Sequence, residues 1–90
     1  MSILVIGGDK INSIRNCLQS LGAKKIEHWD SRKVHVTHRI IPDRVDCVVM
    51  LTTFLKHNTM FHFKTEAKKK NIPVVFSKRS TTSLRENFKI

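Results

Sequence analysis

Residues able to hold a ligand stand at the ends of several apolar segments of the chain. They comprise glycines, hydroxyl groups, imidazoles, cations and two carboxylates: Gly7, Gly8, Asp9, His28, Asp30, Arg32, Thr52, Thr53, His57, Ser77, Lys78, Arg79 and Ser80. If the apolar segments are parallel strands, their carboxyl ends share one edge of a sheet, where ligands bind in open α/β folds. The sequence therefore predicts a ligand-binding site at this edge.

Two parts of this set are suited to a phosphate or another anion. Gly7 and Gly8 allow a close backbone approach, and a following helix would offer free N–H groups. They form neither G-x-G-x-x-G nor a P-loop, so a tight strand-to-helix turn is the favoured explanation of the pair. Lys78 and Arg79 stand just before a closing helix, where cations oppose the helix dipole unless an anion is also present.

The elements that would position these residues follow from hydrophobic periodicity and helix signals. Continuous apolar runs predict strands over 2–6, 25–29, 46–51 and 73–76. Helical spacing follows the first strand, where Asp9 is the expected cap, and the third strand, where Asn58 is the expected cap. In the second of these helices Glu66 and Lys70 are four residues apart and can pair. A closing helix is expected over 80–88. A short irregular helix is expected over 31–42, because parallel strands need a crossover there.

This alternation predicts one domain over residues 1–90. Its fold class is α/β, a small Rossmann-like or flavodoxin-like three-layer domain with a four-stranded parallel sheet. A core of this size gives marginal stability, and apolar residues such as Phe54, Phe61 and Ile90 exceed what it can enclose, so we expect a homodimer.

Net charge is the most pronounced bulk property. Seventeen Lys and Arg face seven Asp and Glu, which gives a formal charge of +10 at pH 7. Such a field attracts polyanions, so nucleic acid or a nucleotide is the expected partner, although a solvated basic surface remains an alternative.

Cellular location is indicated by the cysteines and by hydropathy. Cys17 and Cys47 lie in apolar segments without metal-ligand spacing, which is typical of reduced, buried thiols. No apolar run approaches the roughly 20 residues that a membrane span needs, and no basic region precedes the first apolar run, as it would in a signal peptide. We expect a cytoplasmic protein without a membrane segment.

Histidine is abundant, with five residues in the chain. The spacing of His57 and His62 does not favour a shared metal, and no metal site is predicted. Flanking Phe and Met residues (Phe54, Met60, Phe61 and Phe63) leave a haem or other tetrapyrrole with an axial histidine as an alternative, with His57 as the first candidate ligand and His28 as the second.

An ordered set of short motifs spans almost the whole chain. It comprises Ile-Leu-Val-Ile-Gly-Gly at 3–8, His-Trp-Asp at 28–30, Asp-Cys-Val-Val-Met-Leu-Thr at 46–52, His57-Asn58, and Ile-Pro-Val-Val-Phe-Ser-Lys-Arg-Ser at 72–80. Together they resemble the bacterial family called domain of unknown function 2325. The resemblance implies a small Rossmann-like domain and carries no settled reaction.

Three functions are compatible with these features. The first is a non-enzymatic binding module for nucleic acid or a phosphate-bearing ligand, held by helix N-termini with Lys78, Arg79 and Arg32. Trp29 and Phe54 could stack on bases, although such rings more often simply pack in the core. The second is the haem or tetrapyrrole protein. The third is an enzyme acting on a nucleotide or phosphoester, which the scarcity of acidic residues and the missing nucleophile motif disfavour.

Overall fold

A computed structural model of the chain describes residues 1–30 and 40–88. Strands and helices alternate along it: β1 (Ser2–Ile6), α1 (Asn12–Ser20), β2 (Lys25–Trp29), β3 (Cys47–Leu51), a single 3-10 turn (Thr52–Phe54), α2 (His57–Lys69), β4 (Val74–Ser77) and α3 (Thr81–Asn87). Most of the crossover expected over 31–42 lies outside the described residues, and so does Arg32.

The four strands form one parallel sheet in the order β2-β1-β3-β4. Val5 pairs with His28 on one side and with Val49 on the other, and Val49 in turn pairs with Val75. The predicted α/β class and the four-stranded parallel sheet are therefore confirmed. The chain leaves β1 towards β2 and returns on the other side to β3, so the strand order reverses between β1 and β3.

Two apolar cores, one on each face of the sheet, explain the continuous hydrophobic runs of the central strands. β1 from Ile3 onward and all of β3 are buried, as expected when helices cover both faces. On one face, α1 contributes Ile14, Cys17 and Leu18 and α3 contributes Leu84. On the other face, α2 contributes Phe63 and Ala67. This arrangement is the three-layer fold expected from the sequence.

Two of the predicted helix caps are wrong. Helix α1 begins at Asn12 after Ile11, without a side-chain cap, and Asp9 lies further upstream in an exposed bend. Gly7 and Gly8 both have positive φ angles (106° and 74°), so the chain turns before it becomes helical. Helix α2 begins at His57 after Lys56, which leaves Asn58 inside its first turn.

Side chains near the end of α2 form hydrogen bonds with the segment that precedes β3. Glu66 Oε1 accepts a hydrogen bond from the Ile41 N–H (2.6 Å), and Lys70 Nζ donates to the Ile41 carbonyl (2.5 Å) and to Asp43 Oδ1 (2.9 Å). Glu66 and Lys70, which are predicted to pair with each other, instead form hydrogen bonds with the N–H and the carbonyl of Ile41. Lys70 also lowers the pKa of the Asp43 carboxyl through its hydrogen bond and its charge.

Candidate functional site

The turn after β1 is fixed by contacts with β2. The Gly7 N–H donates to the Trp29 carbonyl (2.9 Å), and the Gly7 carbonyl lies 2.8 Å from His28 Nε2. Because a carbonyl only accepts, Nε2 carries the proton, and Nδ1 is left as the ring nitrogen with a free lone pair in neutral His28. His28 therefore holds the strand-end turn in place.

Packing against the end of β3 requires glycine at position 7 and leaves little room for a side chain at position 8. A Cβ on Gly7 would lie 3.0 Å from the Leu51 carbonyl oxygen and 3.1 Å from Leu55 Cγ, and one on Gly8 would lie 3.3 Å from Leu51 Cδ1. The crevice between β1 and β3, where the strand order reverses, is thus occupied by Leu51 and Leu55. A ligand at this edge must sit to the side of that point.

Thr52 and Ser77, which follow and end neighbouring strands, lie close together. Thr52 Oγ1 donates to the Ser77 carbonyl (3.4 Å). Ser77 is buried, with 2% of its surface exposed, and its hydroxyl donates to the Lys78 carbonyl (2.7 Å). Gly7, Thr52 and Ser77 therefore share the carboxyl edge of three successive strands, and the Ser77 hydroxyl stabilises the loop.

The loop after β4 reaches across this edge to the start of α1. Arg79 donates from a guanidinium nitrogen to the Lys10 carbonyl (3.4 Å). A cavity of about 260 Å³ lies between them and is lined by Lys10, Ile11, Asn12, Ser13, Ile14 and Arg79. Two cations and the uncapped first turn of a helix are thus brought to one cavity.

Electrostatics make this cavity suitable for an anion. The Arg15 N–H donates to the Ile11 carbonyl, while the N–H groups of Asn12, Ser13 and Ile14 precede the first intrahelical bond. No acidic residue occupies the first turn of α1, and none of the lining residues is a carboxylate. The positive end of the helix dipole and two side-chain cations therefore act on the same cavity.

Five further candidate residues lie outside this cavity. Ser80 caps α3 by accepting from the Ser83 N–H (3.1 Å), and the Lys78 N–H donates to Ser83 Oγ (3.2 Å). Asp9 and Thr53 are exposed and Asp30 is half-buried. None of these five candidate side chains lines the cavity.

His57 lies away from this cavity, on the other face of the sheet. It is exposed at the start of α2 and lines a groove of about 350 Å³ with Thr52, Met60, Phe61, Lys64 and Phe76. A second groove of about 460 Å³ continues along β4 and shares Lys64 and Phe76 with the first. His28 and His57 thus belong to separate surroundings.

Trp29 belongs to the core. It is 5% exposed, and its ring packs against that of Phe63 with centroids 5.7 Å apart. The suggestion that Trp29 stacks on bases is therefore wrong, because a base cannot reach a ring enclosed between β2 and α2.

Comparison with protein families assigns the chain to a family. The family described as an uncharacterized protein conserved in bacteria (DUF2325) matches residues 2–89. The chain belongs to the DUF2325 family. The resemblance carried by the ordered motifs is confirmed, and the DUF2325 match covers both the cavity at α1 and the grooves beside β4. No curated protein and no solved structure shows significant similarity to the chain.

Two absences concern the described part of this DUF2325 chain. Within residues 1–30 and 40–88, no three His, Cys, Asp or Glu side chains are grouped so that they could hold a metal ion. Among the helices of the same ranges, none has the length and apolar character to cross a membrane.

Sequence reasoning missed Lys10, Asn12 and Ser13 at the cavity and Lys64 and Phe76 at the grooves. A signal existed for the first three, since an uncapped helix start next to a lysine is readable once the helix boundary is placed correctly. Lys64 and Phe76 are 12 residues apart in the chain and become neighbours only through the packing of α2 beside β4.

Proposed function

We propose that this DUF2325 protein is a non-enzymatic binding module that holds a phosphate group of a nucleic acid at the start of α1. The observation that carries the proposal is the cavity of about 260 Å³ in which Lys10 and Arg79 face the uncapped first turn of α1. N–H groups at a helix N-terminus donate to phosphate oxygens, and the helix dipole favours negative charge there.

Whole-molecule charge favours a polymeric ligand over a single small anion. The net charge of +10 provides attraction at a distance, while the cavity provides one defined contact. Trp29 is enclosed in the core, so its ring is not available to stack on a base. We therefore expect binding through the phosphate backbone, with little dependence on base sequence.

A matched pair of variants tests this proposal. Lys10→Ala with Arg79→Ala removes two charges at the cavity, and Lys68→Ala with Lys69→Ala removes two exposed charges at the end of α2. We expect the first pair to lower the affinity for a labelled single-stranded oligonucleotide more strongly. It should also reduce the salt slope by about one for each phosphate that the protein no longer neutralises.

Two results would contradict the proposal. Equal losses from the two pairs would mean that only diffuse charge attracts the oligonucleotide. No binding at low salt would remove nucleic acid as the partner. Because Arg79 also bonds the Lys10 carbonyl, an Arg79→Lys variant that keeps the charge separates loss of charge from local rearrangement.

A second candidate, haem or another tetrapyrrole, is favoured by the groove that contains His57. That groove combines an exposed imidazole with Met60, Phe61 and Phe76, and Lys64 is placed to pair with a carboxylate. Neutral imidazole ligates haem iron, and an apolar wall suits the macrocycle. His57 is the better candidate ligand than His28, whose Nε2 is engaged by the Gly7 carbonyl.

An absorption titration with haemin tests this candidate. Binding through His57 predicts that wild-type protein shifts the Soret band of haemin. The shift should be lost in His57→Ala and retained in His62→Ala, which changes another exposed histidine of α2. A spectrum unchanged by the wild-type protein, or one unaffected by His57→Ala, would remove His57 as the ligand.

A further inference from the structure

Strand β4 is an edge of the sheet whose outer side has no pairing strand in the described residues. The Pro73 carbonyl accepts from the Val48 N–H (2.9 Å), which directs the odd-numbered backbone groups of this strand towards β3. Successive residues of a strand point their N–H and C=O groups to opposite sides. The backbone groups of Val74 and Phe76 therefore face outward, as a template for another strand.

An apolar groove with a basic rim runs along this open edge. Its floor comprises Ile72, Pro73, Val74 and Phe76, and Lys64 and Lys68 of α2 stand over it. Phe76 is 38% exposed, and Lys64 Nζ lies 5.9 Å from the centre of its ring. None of the residues that line the groove is acidic.

We propose that this edge binds an extended segment of another protein in which every second residue, the set on one face of the strand, is apolar and acidic by turns. The segment adds a fifth strand to the sheet by pairing with the backbone of Val74 and Phe76. The side chains at every second position face α2; the apolar ones lie on Val74 and Phe76, and the carboxylates pair with Lys64 and Lys68. Main-chain hydrogen bonds supply affinity in this mode of recognition, and alternate side chains supply specificity.

Charge and chemistry select this occupant over two others. A second copy related by a two-fold axis would place the same surface on both sides and bring Lys64 and Lys68 of each copy to one interface. That juxtaposition of like charges is unfavourable. The phosphates of a nucleic acid would neutralise the charges of the lysines, but a nucleic acid cannot continue the hydrogen-bond ladder of a strand.

The test uses haem-free protein and capped peptides in which Val and Glu take turns at every second position, with Thr between them. Hydrogen exchange followed residue by residue is the direct readout. We expect the amide protons of Val74 and Phe76 to exchange more slowly when the peptide is bound, whereas those of Val75 and Ser77, which already face β3, change little. A peptide methylated on alternate backbone nitrogens keeps the side chains but cannot form the ladder, so its binding should be lost.

Charge reversal provides the matched control. Lys64→Glu with Lys68→Glu should weaken peptide binding by about tenfold or more, because attraction becomes repulsion. Lys24→Glu with Lys25→Glu makes the same change in net charge near the start of β2, the opposite edge strand, and should have a much smaller effect.

Three outcomes would overturn the proposal. One is binding of the methylated peptide as tightly as the parent peptide. Another is equal weakening by the two charge-reversed variants. The third is protection of the Val74 and Phe76 amides in the free protein that increases with concentration, since this would show that a second copy occupies the edge.

Discussion

At the residue scale, Gly7 is constrained both by its backbone conformation and by its neighbours. Its φ of 106° lies where side chains are disfavoured, and its carbonyl bonds His28 while the end of β3 packs against it. The turn between β1 and α1 therefore depends on glycine for structural reasons. This turn determines where the first turn of α1, and hence the proposed phosphate site, lies.

Gly7→Ala should lower the free energy of unfolding by about 2–4 kcal/mol, because backbone strain and overpacking add. Gly22→Ala is the matched control, since Gly22 has nearly the same φ (105°) but nothing within 4 Å of an added Cβ. It should cost only about 1 kcal/mol. Urea unfolding of both variants measures the difference, and equal losses would show that contact with Leu51 and Leu55 contributes nothing.

Cys47 connects burial to pH dependence. Burial in β3, with a smaller contribution from the charge of Asp46, raises the pKa of the Cys47 thiol from 9.0 to about 12. The unfolded chain loses this proton first as pH rises, so the contribution of Cys47 to stability is complete below pH 9 and declines between pH 9 and about 12.

Comparing wild type with Cys47→Ala isolates this contribution from the titration of lysines. We expect the difference in unfolding free energy between the two proteins to be constant up to about pH 8 and to shrink above pH 9, the ordinary value for the thiol. A difference independent of pH up to about pH 11 would contradict the raised pKa.

At the scale of elements, α2 covers one core and also holds the chain that enters β3. Phe63 and Ala67 are its buried face, and Glu66 and Lys70 bond both backbone groups of Ile41. Ile41 is itself fully buried, so its N–H has no access to water and depends on the Glu66 carboxylate.

Glu66→Ala should therefore lower the free energy of unfolding by about 1–3 kcal/mol, the usual cost of a buried group left without a partner. Glu66→Gln retains an acceptor oxygen and should lose less. His62→Ala, which removes the exposed residue 3.5 Å from the other Glu66 oxygen, is the control and should change stability little. Thermal unfolding of the three variants gives the order, and a loss in His62→Ala as large as in Glu66→Ala would contradict the assignment.

The extent to which sequence predicts these elements follows from the type of signal each carries. β1, β2, β3 and β4 are predicted to within a residue at each end, because continuous apolar runs bounded by glycine, threonine or proline are local signals. The starts of α1 and α2 are misplaced, because they depend on turn geometry and neither helix has a side-chain cap. Arg79 is found from its position before α3, but Lys10 is not, since only the fold brings these two residues together.

At the scale of the whole molecule, a high net charge is combined with exposed large apolar side chains. The chain carries a net charge of +10, yet Ile40 and Phe61 are each 72% exposed. Charge keeps a protein in solution and attracts polyanions, whereas exposed large apolar side chains mark surfaces that associate.

The homodimer expected from the sequence stays a prediction. Association through Ile40 and Phe61 would cover apolar surface that the small core leaves outside. Light scattering over a range of concentrations should then give the mass of two chains, and added salt should strengthen association by screening like charges. A mass of one chain at high concentration would refute it.

Backbone amide resonances of the first turn of α1 provide the most direct test of the proposed phosphate site. On titration with a short oligonucleotide, and separately with inorganic phosphate, the account predicts that the largest shifts occur at Asn12, Ser13 and Ile14. In Arg79→Ala with Lys10→Ala these shifts should fall, while they persist in Lys68→Ala with Lys69→Ala. Shifts spread over all basic surfaces, or centred on Lys68 and Lys69 with the amides of Asn12, Ser13 and Ile14 unmoved, would contradict a phosphate site at this helix.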